Sequence, residues 1–124
     1  MDALFAAHSG TRYLVLLAGL IALLWFAWGT ATKRPFSRPG PAMFAVFVGL
    51  LDLQGLMGIV LLIGGHRPPP IWGHVACMVL ALTFAHFVKK SSGQGTGYGR
   101  PLLGVAGTLA LIVVGILAIG RPIV

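Results

Sequence analysis

Charge is what this 124-residue chain has least of: 9% of its residues are Asp, Glu, Lys or Arg, while 57% are hydrophobic. A soluble domain normally carries about a quarter charged residues. Without them a globule cannot cover its surface, so the expected solvent is lipid. Acids are scarcer still, with Asp2 and Asp52 set against nine Lys and Arg; no paired carboxylate set for acid–base chemistry is present. The one cysteine, Cys77, lies inside an apolar run, which rules out an intrachain disulfide and leaves the redox compartment unread. A nucleotide-binding loop, a Cys/His zinc pattern and a triad context for Ser or Thr are also missing. Catalysis by this chain alone is therefore not expected. The net charge of +7 comes from basic residues interleaved with apolar runs, a pattern that points to a membrane surface and away from nucleic acid.

What is present is four long apolar runs. A transmembrane helix needs roughly 20 such residues, and the runs at about 11–31, 42–63, 71–88 and 102–119 qualify. Between the first two, Lys33 to Pro41 carries three prolines, each lacking an amide donor and clashing with a continuing helix. Gly64 to Pro70 reads as a tight hairpin, and Lys89 to Pro101 as a Gly- and Ser-rich loop. The expected fold is one all-α domain over residues 1–124, an antiparallel, up-down-up-down four-helix transmembrane bundle.

Orientation follows the distribution of cations. Lys33, Arg34, Arg38, Lys89, Lys90 and Arg100 fall in the first and third loops, against Arg12, Arg67 and Arg121 at the other face. The positive-inside rule places the first group in the cytoplasm and both termini outside. The first span has its positive charge after the apolar run, so it reads as a retained helix and not a cleaved signal. Trp25, Trp28, Trp72 and Tyr13 sit at span ends, where amphipathic rings favour the headgroup layer. Gly104, Thr108 and Gly115 fall near one face of the fourth span and are expected to pack. Met43, Met57, Met78 and Cys77 read as core filler.

Polar groups within spans are costly and mark partners or sites. His8 and Arg12 are four apart at the mouth of the first span and share a helical face. There, His8 is a candidate metal or haem ligand and Arg12 a candidate partner for a haem propionate; the competing account makes Ser9 a helix cap and Arg12 a headgroup contact. His74 lies one turn inside the third span, roughly 5 Å deep, at a depth similar to His8. Two imidazoles at one depth on separate helices are the strongest constellation in the chain, since neutral imidazole is a common metal ligand and bis-His ligation holds many b-type haems. His86, twelve residues beyond His74, is rotated about 120° from it; it reads as an interhelical hydrogen-bond donor or, alternatively, a single axial ligand. Asp52 and Gln54 lie mid-span in the second helix. They read as a buried, protonated carboxyl bonding across helices or as a quinone or proton site. His66 and Arg67 read as a solvated turn.

Three segments also carry a resemblance. HSGTRY (His8–Tyr13), LDLQGLMG (Leu51–Gly58) and WGHVACMVLALTFAH (Trp72–His86) running into Lys89 and Lys90 resemble small four-span bacterial proteins labelled cytochrome b-like. The same order of features covers most of the chain, down to Gly120–Pro122. Such relatives often carry a histidine where this chain has Asp52, which shifts the weight of any haem ligation to His8 and His74. The resemblance implies a bacterial inner-membrane protein of membrane bioenergetics. Its expected role is a subunit of a respiratory or photosynthetic complex, binding one b-type haem for electron transfer. The alternative is a cofactor-free accessory subunit. The expected partners are lipid and other membrane subunits or further copies of the chain.

Overall fold

A computed structural model describes residues 2–65, 71–92 and 97–120. His66, Arg67 and Arg121 lie outside the described residues. Four helices follow one another: α1 (Asp2–Ala31), α2 (Gly40–Ile63), α3 (Ile71–Ser91) and α4 (Gly99–Ala118). Each is long and apolar enough to cross a membrane, yet only 22–39% of each apolar stretch is buried inside the bundle. Large apolar side chains such as Ile63, Phe87 and Leu103 point outward.

α1 begins nine residues before the expected span. Ser9 therefore lies inside the helix and is not its cap. The DALFAA segment supplies good helix formers, and Asp2 in the first turn complements the helix dipole. At the other end, Lys33 adopts a left-handed φ of 55°. The amide of Arg34 then donates to Gly29 O at 2.9 Å and that of Lys33 to Thr30 O at 3.2 Å. This pair of bonds is a Schellman closure with lysine in the place usually taken by glycine. α2 starts with Pro41 in its first turn, where a missing amide costs nothing.

Neighbouring helices run antiparallel. His8 near the start of α1 abuts Gly58 near the end of α2, Gly55 of α2 abuts Leu82 of α3, Gly104 of α4 abuts Val88 of α3, and Gly29 of α1 abuts Tyr98 before α4. Packing is strongest between α3 and α4, then α1 and α2, then α1 and α4; α2 and α3 touch least. The helices thus form a ring in chain order, with α1 diagonal to α3 and one weak seam between α2 and α3. On α4, Gly104, Thr108 and Gly115 are all buried, as their shared face requires.

The end bearing Lys33, Arg34, Arg38, Lys89 and Arg100, called here the basic end, is closed by aromatic rings. Tyr98 lies tilted against Phe26 at 5.4 Å and meets Phe36 edge-on at 5.2 Å, and Phe26 reaches Phe36 and Phe44 at 5.7 and 5.8 Å. The Tyr98 hydroxyl donates to Ser37 O at 3.0 Å, and Pro35 pairs with Gly97 through one bridge between the two connections. Arg34 lies over the Trp28 ring at 4.3 Å, a cation–π contact at the rim.

Candidate functional site

The opposite end, where α1 starts, is open inside. A cavity of about 190 Å³ lies among the helices there, and His8, Arg12, Gln54 and His74 all line it. The two histidines come from diagonal helices and face one space. The remaining lining is apolar, including Leu51, Met78 and Ile112. Ile59 of α2 and Val79 of α3 also line it while being more than half exposed, so its mouth lies on the α2–α3 seam.

Each polar side chain has an identifiable support. His74 Nδ1 lies 3.0 Å from Gly115 O. A carbonyl only accepts, so in the neutral ring the proton sits on Nδ1 and Nε2 keeps its lone pair. This is the second-contact pattern that orients ligating histidines. Gly115 permits it: a Cβ there would meet Cys77 Cβ at 3.0 Å and His74 Nδ1 at 3.7 Å. Gly58 does the same for His8, since a Cβ on it would stand 3.2 Å from the His8 ring. Gln54 is 9% exposed and donates through Nε2 to His8 O at 2.6 Å, which ties α2 to the first turns of α1.

At the cavity, buried Arg12 Nε and Gln54 Oε1 have no hydrogen-bond partner among the described residues. Arg12 otherwise donates from Nη2 to the Tyr13 hydroxyl at 2.9 Å and lies 4.8 Å from that ring's centre. Among the described residues the one ion pair is between Asp52 and His86. Among the described residues no carboxylate stands beside the guanidinium, so they offer a cavity ligand a positive charge and a free Nε donor.

Asp52 and His86 do not belong to this cavity. His86 Nε2 and Asp52 Oδ1 are 2.7 Å apart, bridging α2 and α3 on the outside of the bundle, with side chains 53% and 48% exposed. The interhelical bond expected of each residue is present, and each is the other's partner. The expected burial of Asp52 is not found. Asp52 lies on an outward stripe with Ala45, Gly49 and Leu56, all exposed. The expected grouping of Asp52 with Gln54 also fails, because two residues along a helix turn the side chain about 200°. Gln54 faces inward and Asp52 outward. With its Nε2 against a carboxylate oxygen, His86 is engaged at the nitrogen an axial ligand would need.

Among the described residues no three His, Cys, Asp or Glu side chains gather around a common point. A metal held by His8 and His74 would thus take its other donors from outside these side-chain types, as a macrocycle's nitrogens would provide. No family model, curated protein or solved structure matches the chain.

Proposed function

We propose that this chain is a small integral membrane protein, with its termini outside and its basic end in the cytoplasm of a bacterial inner membrane. In this reading it holds one b-type haem in the cavity between α1 and α3. The observation that carries the proposal is the placement of His8 and His74, 66 positions apart, on diagonal helices lining one cavity beside Arg12, which has no acid partner among the described residues. His74 Nε2 and the His8 ring would hold the haem iron. Arg12 would neutralise a propionate, and its buried Nε adds a charge-assisted donor. When bound, a haem supplies one-electron transfer, and its ligands and surrounding polarity set its potential. The chain's own contribution is to fix the His74 tautomer through Gly115, to hold α1 in register through Gln54, and to line the rest of the space with apolar side chains that exclude water.

The donor set fits this group; the space fits it on one condition. The cavity is smaller than the roughly 300 Å³ at which pockets for drug-sized ligands begin. A macrocycle needs α2 to move off α3, and that seam is the weakest in the bundle.

The test is a reduced-minus-oxidised visible spectrum of the detergent-purified protein, expressed with haem supplied. A sharp α-band, lost in His8→Ala and His74→Ala and kept in His86→Ala, is the expected result. A flat spectrum from folded protein sinks the proposal. A second reading, a cofactor-free accessory subunit, is favoured by the outward Asp52–His86 pair, which calls for cover by another polypeptide. It predicts the flat spectrum and association that does not depend on His8 or His74.

A further inference from the structure

We infer that the outward face of α2 and α3 around Asp52 and His86 is the interface of a parallel homodimer, and that its occupant is a second copy of this chain. The inference rests on membrane embedding and not on the cavity's ligand. Asp52 lies twelve residues from the start of α2 and eleven from its end (Gly40 and Ile63), so the pair sits near the bilayer midplane when the helix spans it. A carboxyl and an imidazole exposed to hydrocarbon at that depth are expensive, and the cost falls when a protein neighbour completes their hydrogen bonds.

The pair employs one atom of each residue, Oδ1 of Asp52 and Nε2 of His86. Among the described residues Asp52 Oδ2 and His86 Nδ1 make no hydrogen bond. In the ion-paired state His86 carries N–H on both nitrogens, so the face presents one spare acceptor and one spare donor side by side. A two-fold axis along the membrane normal leaves depth unchanged. It can therefore set Oδ2 of each protomer against Nδ1–H of its partner, closing two bonds by symmetry. A patch with one acid and one base is complementary to itself; a partner carrying a single sign of charge would leave one group unmatched.

The surroundings allow the approach. Ala45 and Gly49 lie on the same exposed stripe of α2 as Asp52, and a Cβ on Gly49 would meet nothing within 4 Å. Small residues in this spacing let helices come close enough for polar side chains to bond across them. Thr83, exposed one turn before His86 on α3, adds a hydroxyl to the same face.

The experiment counts copies per particle by single-molecule photobleaching of the full chain in phosphatidylcholine vesicles, over a series of protein-to-lipid ratios. The wild type is expected to be dimeric. Asp52→Leu with His86→Leu should raise the dimer's dissociation constant roughly tenfold or more, as two interhelical hydrogen bonds warrant. The exchanged variant, Asp52→His with His86→Asp, keeps the face self-complementary and should keep the dimer. Gly49→Leu, which fills open space on one protomer, should fold normally and lose the dimer; circular dichroism checks the fold of every variant. A monomeric wild type, including one that copurifies with a different protein, overturns the inference. So does a folded double-leucine variant that dimerises as tightly as the wild type, or a folded Gly49→Leu dimer. A monomer that shows the haem band would overturn the dimer alone, and a dimer without the band would overturn the haem alone.

Discussion

The imidazole of His74 is tethered to the carbonyl oxygen of Gly115, Nδ1 to O, at 3.0 Å. One backbone acceptor on α4 thus decides which nitrogen of an α3 histidine faces the cavity, and the absence of a side chain at position 115 is what lets the two helices come that close.

Gly115→Ala is therefore expected to destabilise the protein by about 1–3 kcal/mol, despite the ~1 kcal/mol that alanine gains over glycine in a helix. The methyl would meet the end of Met78, which can move, and Cys77 Cβ at 3.0 Å, which cannot move without its backbone. Thermal unfolding in detergent measures the cost. Under the haem proposal the variant also loses more absorbance than its fraction unfolded accounts for, because the His74 tautomer is no longer held.

Gln54 separates stability from site geometry. Its Nε2 bonds His8 O, while its buried Oε1 has no partner among the described residues. Gln54→Leu removes one hydrogen bond, worth about 1 kcal/mol, together with an unsatisfied acceptor that costs about as much. Its melting temperature should lie within a few degrees of the wild type, whereas its haem retention after detergent washing should fall.

Tyr98 closes the basic end and is expected to dominate stability there. Tyr98→Phe forfeits only the bond to Ser37 O, about 0.5–1.5 kcal/mol. Gly29→Ala would place a methyl 2.5 Å from the Tyr98 ring, which Phe26 and Phe36 already confine. Overpacking of that kind costs about 1–3 kcal/mol or more. Denaturation series in mixed micelles should rank Gly29→Ala below Tyr98→Phe, and the opposite order would show that the ring has room to shift.

Lys33 offers a change of the other sign. A non-glycine residue at φ 55° carries about 1 kcal/mol of strain or slightly more, so Lys33→Gly should stabilise the closure of α1 by up to that amount. The same unfolding assay reads it.

Orientation is testable apart from stability. Reporter fusions at either terminus should be active only on the outer side of the membrane. Under the proposed topology, replacing Lys33, Arg34 and Arg38 together with Gln should yield a mixed population, since half of the basic residues of the first and third loops are then gone.

The four helices were legible because their apolar runs are long and their breaks contain proline and glycine, both of which act locally. Rotation was not. α2 exposes Leu53, Leu56, Ile59 and Ile63 as readily as it buries Phe44, Phe47 and Leu51, so hydrophobicity alone does not say which side is inside. For that reason Asp52 and Gln54 read as one site, although they face opposite ways. The grouping of His8 with His74 needed only helix rise and connectivity, and both line one cavity. The Tyr98–Phe26–Phe36 cluster was missed because its members come from two loops and a helix, with no periodic signal joining them. The start of α1 was missed because Ser9 has the chemistry of a cap, while DALFAA, too short to span, has the propensity to continue the helix.

The weak seam between α2 and α3 is pinned by the side-chain bond from His86 to Asp52, so the two helices have the mechanics of a pair of tweezers. Any yielding between α2 and α3 pivots about the Asp52–His86 bond that joins them, and its amplitude grows with distance from that fulcrum. The excursion is larger where His8, Arg12 and His74 stand, and a mutation at Asp52 or His86 can alter how widely that distant mouth opens without touching it.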